Sequence, residues 1–167
     1  MKHVNIIPVI VAILLLSMSC VAYGDNGLSY DDTVNLIKKT MPSNTSVARQ
    51  ESYEYIKIDN CILEYKVFGT FPVGTPYEIK FSGIDFSSLN NHQSKVGSDY
   101  TDFIILNFDK PAIYRINGTD LPIHTVVINT FDDKSKTMLF NAFLHLGELC
   151  SANSHPQETI NRTPVEK

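Results

Sequence analysis

The side chains best suited to chemistry in this chain are few and far apart. Thiols come from Cys20, Cys61 and Cys150, and imidazoles from His3, His92, His124, His145 and His155. Zinc hydrolysis needs ligands at helix or strand spacing, and neither His-x-His nor His-Glu-x-x-His occurs. A nucleophilic serine on a strained elbow needs Gly-x-Ser-x-Gly, which is also missing. Gly69-Thr70-Phe71-Pro72-Val73-Gly74-Thr75 has the glycine spacing of a phosphate loop. It has no lysine before Thr75, and strand-like sequence flanks it where a helix should follow, so it reads as a turn. Asp99, Asp102, Asp109, Asp132 and Asp133 fall by strand ends, and EF-hand spacing is absent. Asp132-Asp133 precedes the last helix, where carboxylates complement the positive end of the dipole. No cofactor and no metal is expected. Catalysis would require a site dispersed over the fold, with His92 or His124 beside an aspartate.

The thiols are better explained by compartment. Lys2 precedes an apolar run, Ile6–Leu16, that is far shorter than the roughly 20 residues a spanning helix needs. Ala22-Tyr23-Gly24 then sets small side chains at the −3 and −1 positions before Asp25. This is the pattern of a secretory signal peptide over 1–24, cut after Gly24. Ser17-Met18-Ser19-Cys20 offers a competing pattern, a loose lipobox that would leave Cys20 lipidated. Either route delivers the chain to an oxidising compartment, periplasmic or secreted, with Cys61 and Cys150 left to pair. That bridge would span 89 positions, worth roughly 4–5 kcal/mol in the chain-entropy model. A redox role would call for Cys-x-x-Cys, which does not occur.

The elements that must position these groups follow from periodicity. Residues 25–28 form a linker. Ser29-Tyr30-Asp31-Asp32 matches a capping box, and Tyr30, Val34, Ile37 and Met41 share one helical face. Pro42 ends that helix. The period then changes to two. Strands are predicted at Tyr53–Ile58, Cys61–Phe68, Tyr77–Phe81, Phe103–Phe108, Ala112–Ile116 and His124–Thr130. Turns are predicted at Asp59-Asn60 and Asn117-Gly118, and Pro111 and Pro122 should lie at strand ends or edges. A second helix is predicted over 134–150, with Leu139, Ala142, Phe143, Leu146, Leu149 and Cys150 on its apolar side and Met138 at the edge. Asn141, His145 and Glu148 form its solvated back. Residues 151–167 read as a disordered tail.

The domain is therefore expected over 29–150, α+β in class. It has an N-terminal helix, about six antiparallel strands in a meander or partly closed barrel, and an amphipathic C-terminal helix on the sheet. A pleckstrin-homology-like arrangement and an open sheet on two helices both satisfy that order. The layout resembles small exported bacterial proteins without assigned activity. These share a first helix (here Ser29–Met41), a strand carrying cysteine (Cys61–Leu63) and a last helix ending Leu-x-x-Leu-Cys (Leu146–Cys150). The resemblance implies an architecture and no activity.

Charge narrows the partners. The chain carries a formal −4; the predicted signal segment contributes Lys2 and no acid, leaving −5. With basic residues scattered, nucleic acid is not an expected partner. The primary expectation is a non-enzymatic exported domain that binds an envelope protein or a surface ligand. Its surface would be the polar stretch Ser87–Thr101, with Ser94, Lys95, Asp99 and Tyr100 as candidates, together with an exposed sheet edge. A dispersed hydrolase and an outer-envelope lipoprotein accessory factor are the alternatives. Tyr53, Tyr55, Tyr65, Tyr77, Tyr100 and Tyr114 would add a glycan or peptide surface if several shared an exposed face. Sequons at Asn44, Asn117 and Asn161 carry no weight in a bacterial-type precursor.

Overall fold

The computed structural model describes residues 27–42, 51–70, 74–98 and 102–154. Helix α1 spans Tyr30–Thr40. Its start is the predicted cap: the Ser29 hydroxyl accepts the Asp32 N–H and donates to the Asp32 carboxylate. Val34, Ile37 and Met41 are buried, and Tyr30 is half-buried at the same face.

Six antiparallel strands follow: β1 (Ser52–Asp59), β2 (Ile62–Thr70), β3 (Pro76–Asp85), β4 (Lys95–Ser98), β5 (Asp102–Ile116) and β6 (Thr119–Thr130). The sheet does not close, so the open arrangement holds in place of a pleckstrin-homology-like barrel. β1, β2 and β3 meander. β3 and β4 then lie in tandem along one edge of β5: Ile79–Ser82 pairs with Ile116–Ile113, and Lys95–Ser98 with Ile105–Asp102. β6 runs along the other edge of β5. Asn117-Gly118, both at positive φ, make the tight turn between β5 and β6.

Three local expectations change. The β1–β2 turn is Asn60-Cys61, both at positive φ, with Asp59 opposite Ile62; Cys61 sits in the turn and not in the strand. The segments predicted as two strands, 103–108 and 112–116, form one 15-residue strand. Asp109-Lys110-Pro111 reads as a turn in one dimension, but the chain absorbs it as an irregularity between Asn107 and Ala112. The described part of the polar stretch, 87–98, contains regular structure as well. Phe86–Ser88 is a 3-10 turn capped by Asp85, and β4 follows it.

Helix α2 spans Asp133–Ser154, four residues past Cys150, where a tail was expected to begin at 151. Asp132 caps it, accepting the Ser135 N–H at 2.8 Å. Leu139, Ala142, Phe143, Leu146 and Cys150 are buried and Leu149 is half-buried, while Asn141 and Glu148 are exposed as expected; His145, expected on the same solvated back, is half-buried because its ring reaches the Leu28 carbonyl ahead of α1. Phe143 stacks on Phe86, which meets Phe108 edge-on, so the helix packs on the sheet through aromatic rings. A second aromatic row, Tyr53–Tyr65–Phe81–Tyr114, crosses β1, β2, β3 and β5 with centroids 4.7–5.9 Å apart.

Cys61 and Cys150 are disulfide-bonded, with Cα atoms 5.8 Å apart. The turn carrying Cys61 is held on both sides. Its N–H donates to the Tyr30 hydroxyl of α1 at 3.1 Å, and its carbonyl accepts from Phe86 N–H at 2.9 Å. Among the described residues no helix is long and apolar enough to cross a membrane. The proposed signal segment, Cys20 and the residues from 155 onward lie outside the described residues.

Candidate functional site

Of the four candidate residues in the polar stretch, two can be placed. Ser94 is buried; its hydroxyl donates to the Asn90 carbonyl and accepts the Asn107 N–H, so it ties the loop to β5. Lys95 is exposed at the start of β4. Asp99 and Tyr100 lie outside the described residues. His92 is exposed in a turn, and His124 sits on β6 with Nδ1 3.0 Å from the Phe108 carbonyl. Neither forms an ion pair with a carboxylate among the described residues, and no group of three metal-ligating side chains forms there either. His145 pairs loosely with Glu148, at 3.7 Å, and its Nε2 faces the Leu28 carbonyl.

One contact joins a nucleophile to a base. Lys136, 3% exposed, places Nζ 2.6 Å from Ser98 Oγ, at the junction of β4 and α2. A serine–lysine dyad requires a neutral amine to take the hydroxyl proton. Here the charges run the other way. Asp102 at 2.7 Å and Asp133 at 2.8 Å raise the Lys136 pKa, with the Asp102 hydrogen bond the largest cause. The same bond, with help from Ser98, lowers the Asp102 pKa. The ammonium therefore stays charged, and Ser98 gives its proton to Asp102, not to lysine. The cluster fastens the start of α2 to β4 and β5.

The second buried charged residue is Glu51, just before β1. Its carboxyl oxygens accept from Tyr77 Oη at 2.7 Å and from Asn129 Nδ2 at 2.6 Å. The Asn129 N–H donates to Tyr53 Oη at 2.8 Å. Side chains of β1 thus reach the far end of β6 and bridge the gap that backbone pairing leaves open. Gly69 allows this, because the Tyr77 ring crosses β2 directly above it and any Cβ there would overlap the ring. Beside this seam lies Tyr65 Oη, fully buried and without a hydrogen-bond partner among the described residues; burial pushes its pKa up. Tyr53, Tyr65, Tyr77 and Tyr114 do share one face of the sheet, but Tyr53 and Tyr65 are buried in it, so they pack and offer no binding surface.

Among the described residues, what remains open is the backbone at the sheet's edges. β1 is one edge. It is interrupted by a bulge between Glu54 and Lys57, with Tyr55 at φ +53°, and it exposes Glu54, Lys57 and Asp59. β4 is four residues long and opens with Lys95. These are the devices by which edge strands avoid pairing. β6 lacks most of them. It is 12 residues long, holds no lysine or arginine, and its one acid, Asp120, is paired with Arg115. Val127 is 47% exposed, Leu121 46%, and Phe131, just beyond the strand, 61%. Pro122 withholds one N–H, and Tyr53 caps another at Asn129. Length, missing charge and exposed apolar side chains together make β6 the surface best suited to binding. An exposed sheet edge was expected, but which edge is left unguarded depends on the strand order and was not legible in the sequence.

Comparison with known protein families, curated proteins and solved structures finds no match for this chain.

Proposed function

We propose that the chain is exported and acts as a binding domain without catalysis, adding an extended segment of a protein partner to the open edge of β6. The contrast between the guarded edge of β1 and the unguarded edge of β6 carries this proposal. Main-chain hydrogen bonds along β6 would supply affinity, and Leu121, Val127 and Phe131 would supply selectivity for apolar side chains. The Cys61–Cys150 bond is compatible with an oxidising compartment, and the small residues Ala22 and Gly24 at the −3 and −1 positions favour cleavage to a chain beginning at Asp25 over lipidation of Cys20.

Photo-crosslinking in the producing cell tests the surface. A crosslinking side chain at Val127 should yield a discrete protein adduct, and one at Lys57 on the guarded edge should not. Equal yields at the two positions would refute strand docking. The mass of the exported protein decides the processing route: a diacylglyceryl-modified Cys20 at its N-terminus would overturn soluble export.

A further inference from the structure

The same edge has the properties needed to pair with itself, and we infer that its occupant is β6 of a second copy of the chain. This rests on the strand-docking proposal above. A two-fold axis perpendicular to the sheet would set two β6 strands antiparallel, fusing two six-stranded sheets into one.

Charge is the first reason. Self-pairing places like residues of two copies close together, so a strand with unpaired lysines or acids repels itself. From Thr119 to Thr130 the only formally charged side chain is Asp120, already neutralised by Arg115 within its own chain. β1, with Glu54, Lys57 and Asp59 exposed, does not meet this condition.

Register is the second reason. Opposite residues across an antiparallel pair must share a face. Leu121 pairs with Tyr114 and so belongs to the face that holds the core, as does Ile128 opposite Ile104; Val127, opposite Ile105, belongs to the outer face. Aligning the copies about a point between His124 and Thr125 satisfies these faces. It brings Leu121 beside the partner's Ile128, and Val127 beside the partner's Pro122. It also stops where Tyr53 caps Asn129, so the stretch of edge that pairs is the stretch the seam leaves open. Exposed apolar surface at Leu121 and Val127 would be withdrawn from water.

Sedimentation equilibrium of the purified full-length exported protein tests the inference. The expected mass is twice that of one chain at micromolar concentrations, falling to one chain in Val127→Lys and in Leu121→Lys, with Lys57→Glu still a dimer. The two β6 variants lie on opposite faces, so one serves if the other fails to fold, and circular dichroism identifies the folded one. A wild-type protein that sediments as one chain overturns the inference, as does a dimer indifferent to the folded β6 variant. A monomer whose position 127 still crosslinks to a different polypeptide sinks self-pairing and leaves strand docking standing; a monomer that crosslinks to nothing sinks both.

Discussion

β1 and β6 border the same sheet, and they are built on opposite plans. β1 carries alternating charge, and its bulge holds Tyr55 in a left-handed conformation that costs a non-glycine residue about 1 kcal/mol or more. The ring that results is 71% exposed and rests against Phe68, with Lys66 Nζ 5.1 Å from its centroid. β6 bears no comparable strain, and it presents Leu121 and Val127 to water with no unpaired charge beside them. Uniform selection for solubility would guard both edges alike. The asymmetry shows that protection is a local property of a strand, installed on one edge and withheld from the other.

That comparison can be broken or sharpened by experiment. The largest effect should come from the covalent tie on the β1 side. Cys61→Ala with Cys150→Ala should lower unfolding free energy by about 3–5 kcal/mol in a urea titration. Amide exchange should rise more in Ser52–Asp59 than in Thr119–Thr130, because only the former adjoins the released turn. Equal increases would show that the two edges are not independently fastened.

The seam between the edges comes next. Glu51→Ala removes the carboxylate that accepts from Tyr77 and from buried Asn129 and should cost about 2–3 kcal/mol. Glu51→Gln keeps one acceptor and should recover about half of that loss. A loss below about 0.5 kcal/mol for Glu51→Ala, a surface-like value, would mean the seam is not a structural joint.

Strain on the guarded edge should be smaller still. Tyr55→Ile places a β-branched residue at positive φ and should cost about 1–2 kcal/mol, whereas Tyr55→Asn should be nearly neutral. If both are neutral, the bulge does not hold that conformation in solution.

The smallest effect is on acid stability, at the end where α2 begins. Lys136 and Ser98 hold Asp102 below the usual carboxylate range, and backbone and side-chain bonds from Ser135 do the same for Asp132. A depressed folded pKa stabilises the fold above the unfolded value, near 3.9, and that stabilisation is lost as pH falls through the folded value. The slope should therefore appear below about pH 4. Lys136→Met should flatten it by freeing Asp102, an outcome that acid titration followed by circular dichroism would detect.

Much of the fold was legible because it is written in short-range patterns. Ser29 through Pro42 carries a cap, a face and a stop, and the helix appears with all three. The pairing of Cys61 with Cys150 was expected from their number and from the proposed export, and the bond is present, although Cys61 reaches its partner from a turn and not from an inward strand position. What stayed hidden depends on three dimensions. Lys-Val-Gly-Ser is too short and polar to announce a strand, and it becomes β4 because β5 offers an edge beyond the end of β3. Asp109-Lys110-Pro111 carries turn chemistry, but hydrogen bonding to β6 on both sides keeps the strand continuous. Glu51 and Lys136 look like ordinary surface residues in the sequence; their burial goes with partners distant along the chain, Tyr77 and Asn129 for Glu51 and Asp102 for Lys136.

The Cys61–Cys150 bond also constrains when the molecule can be finished. If the chain is exported as proposed and delivered N-terminus first, Cys61 is presented well before Cys150, with five of the six described strands and all of α2 still to come. During that interval the thiol is without its Cys150 partner. Oxidation can therefore occur correctly only at the end of delivery, when the last helix arrives at the first hairpin turn. The bond thus acts as a completion mark: a truncated chain, or one stalled in transit, cannot acquire it and leaves a free thiol by which a quality-control system could recognise it.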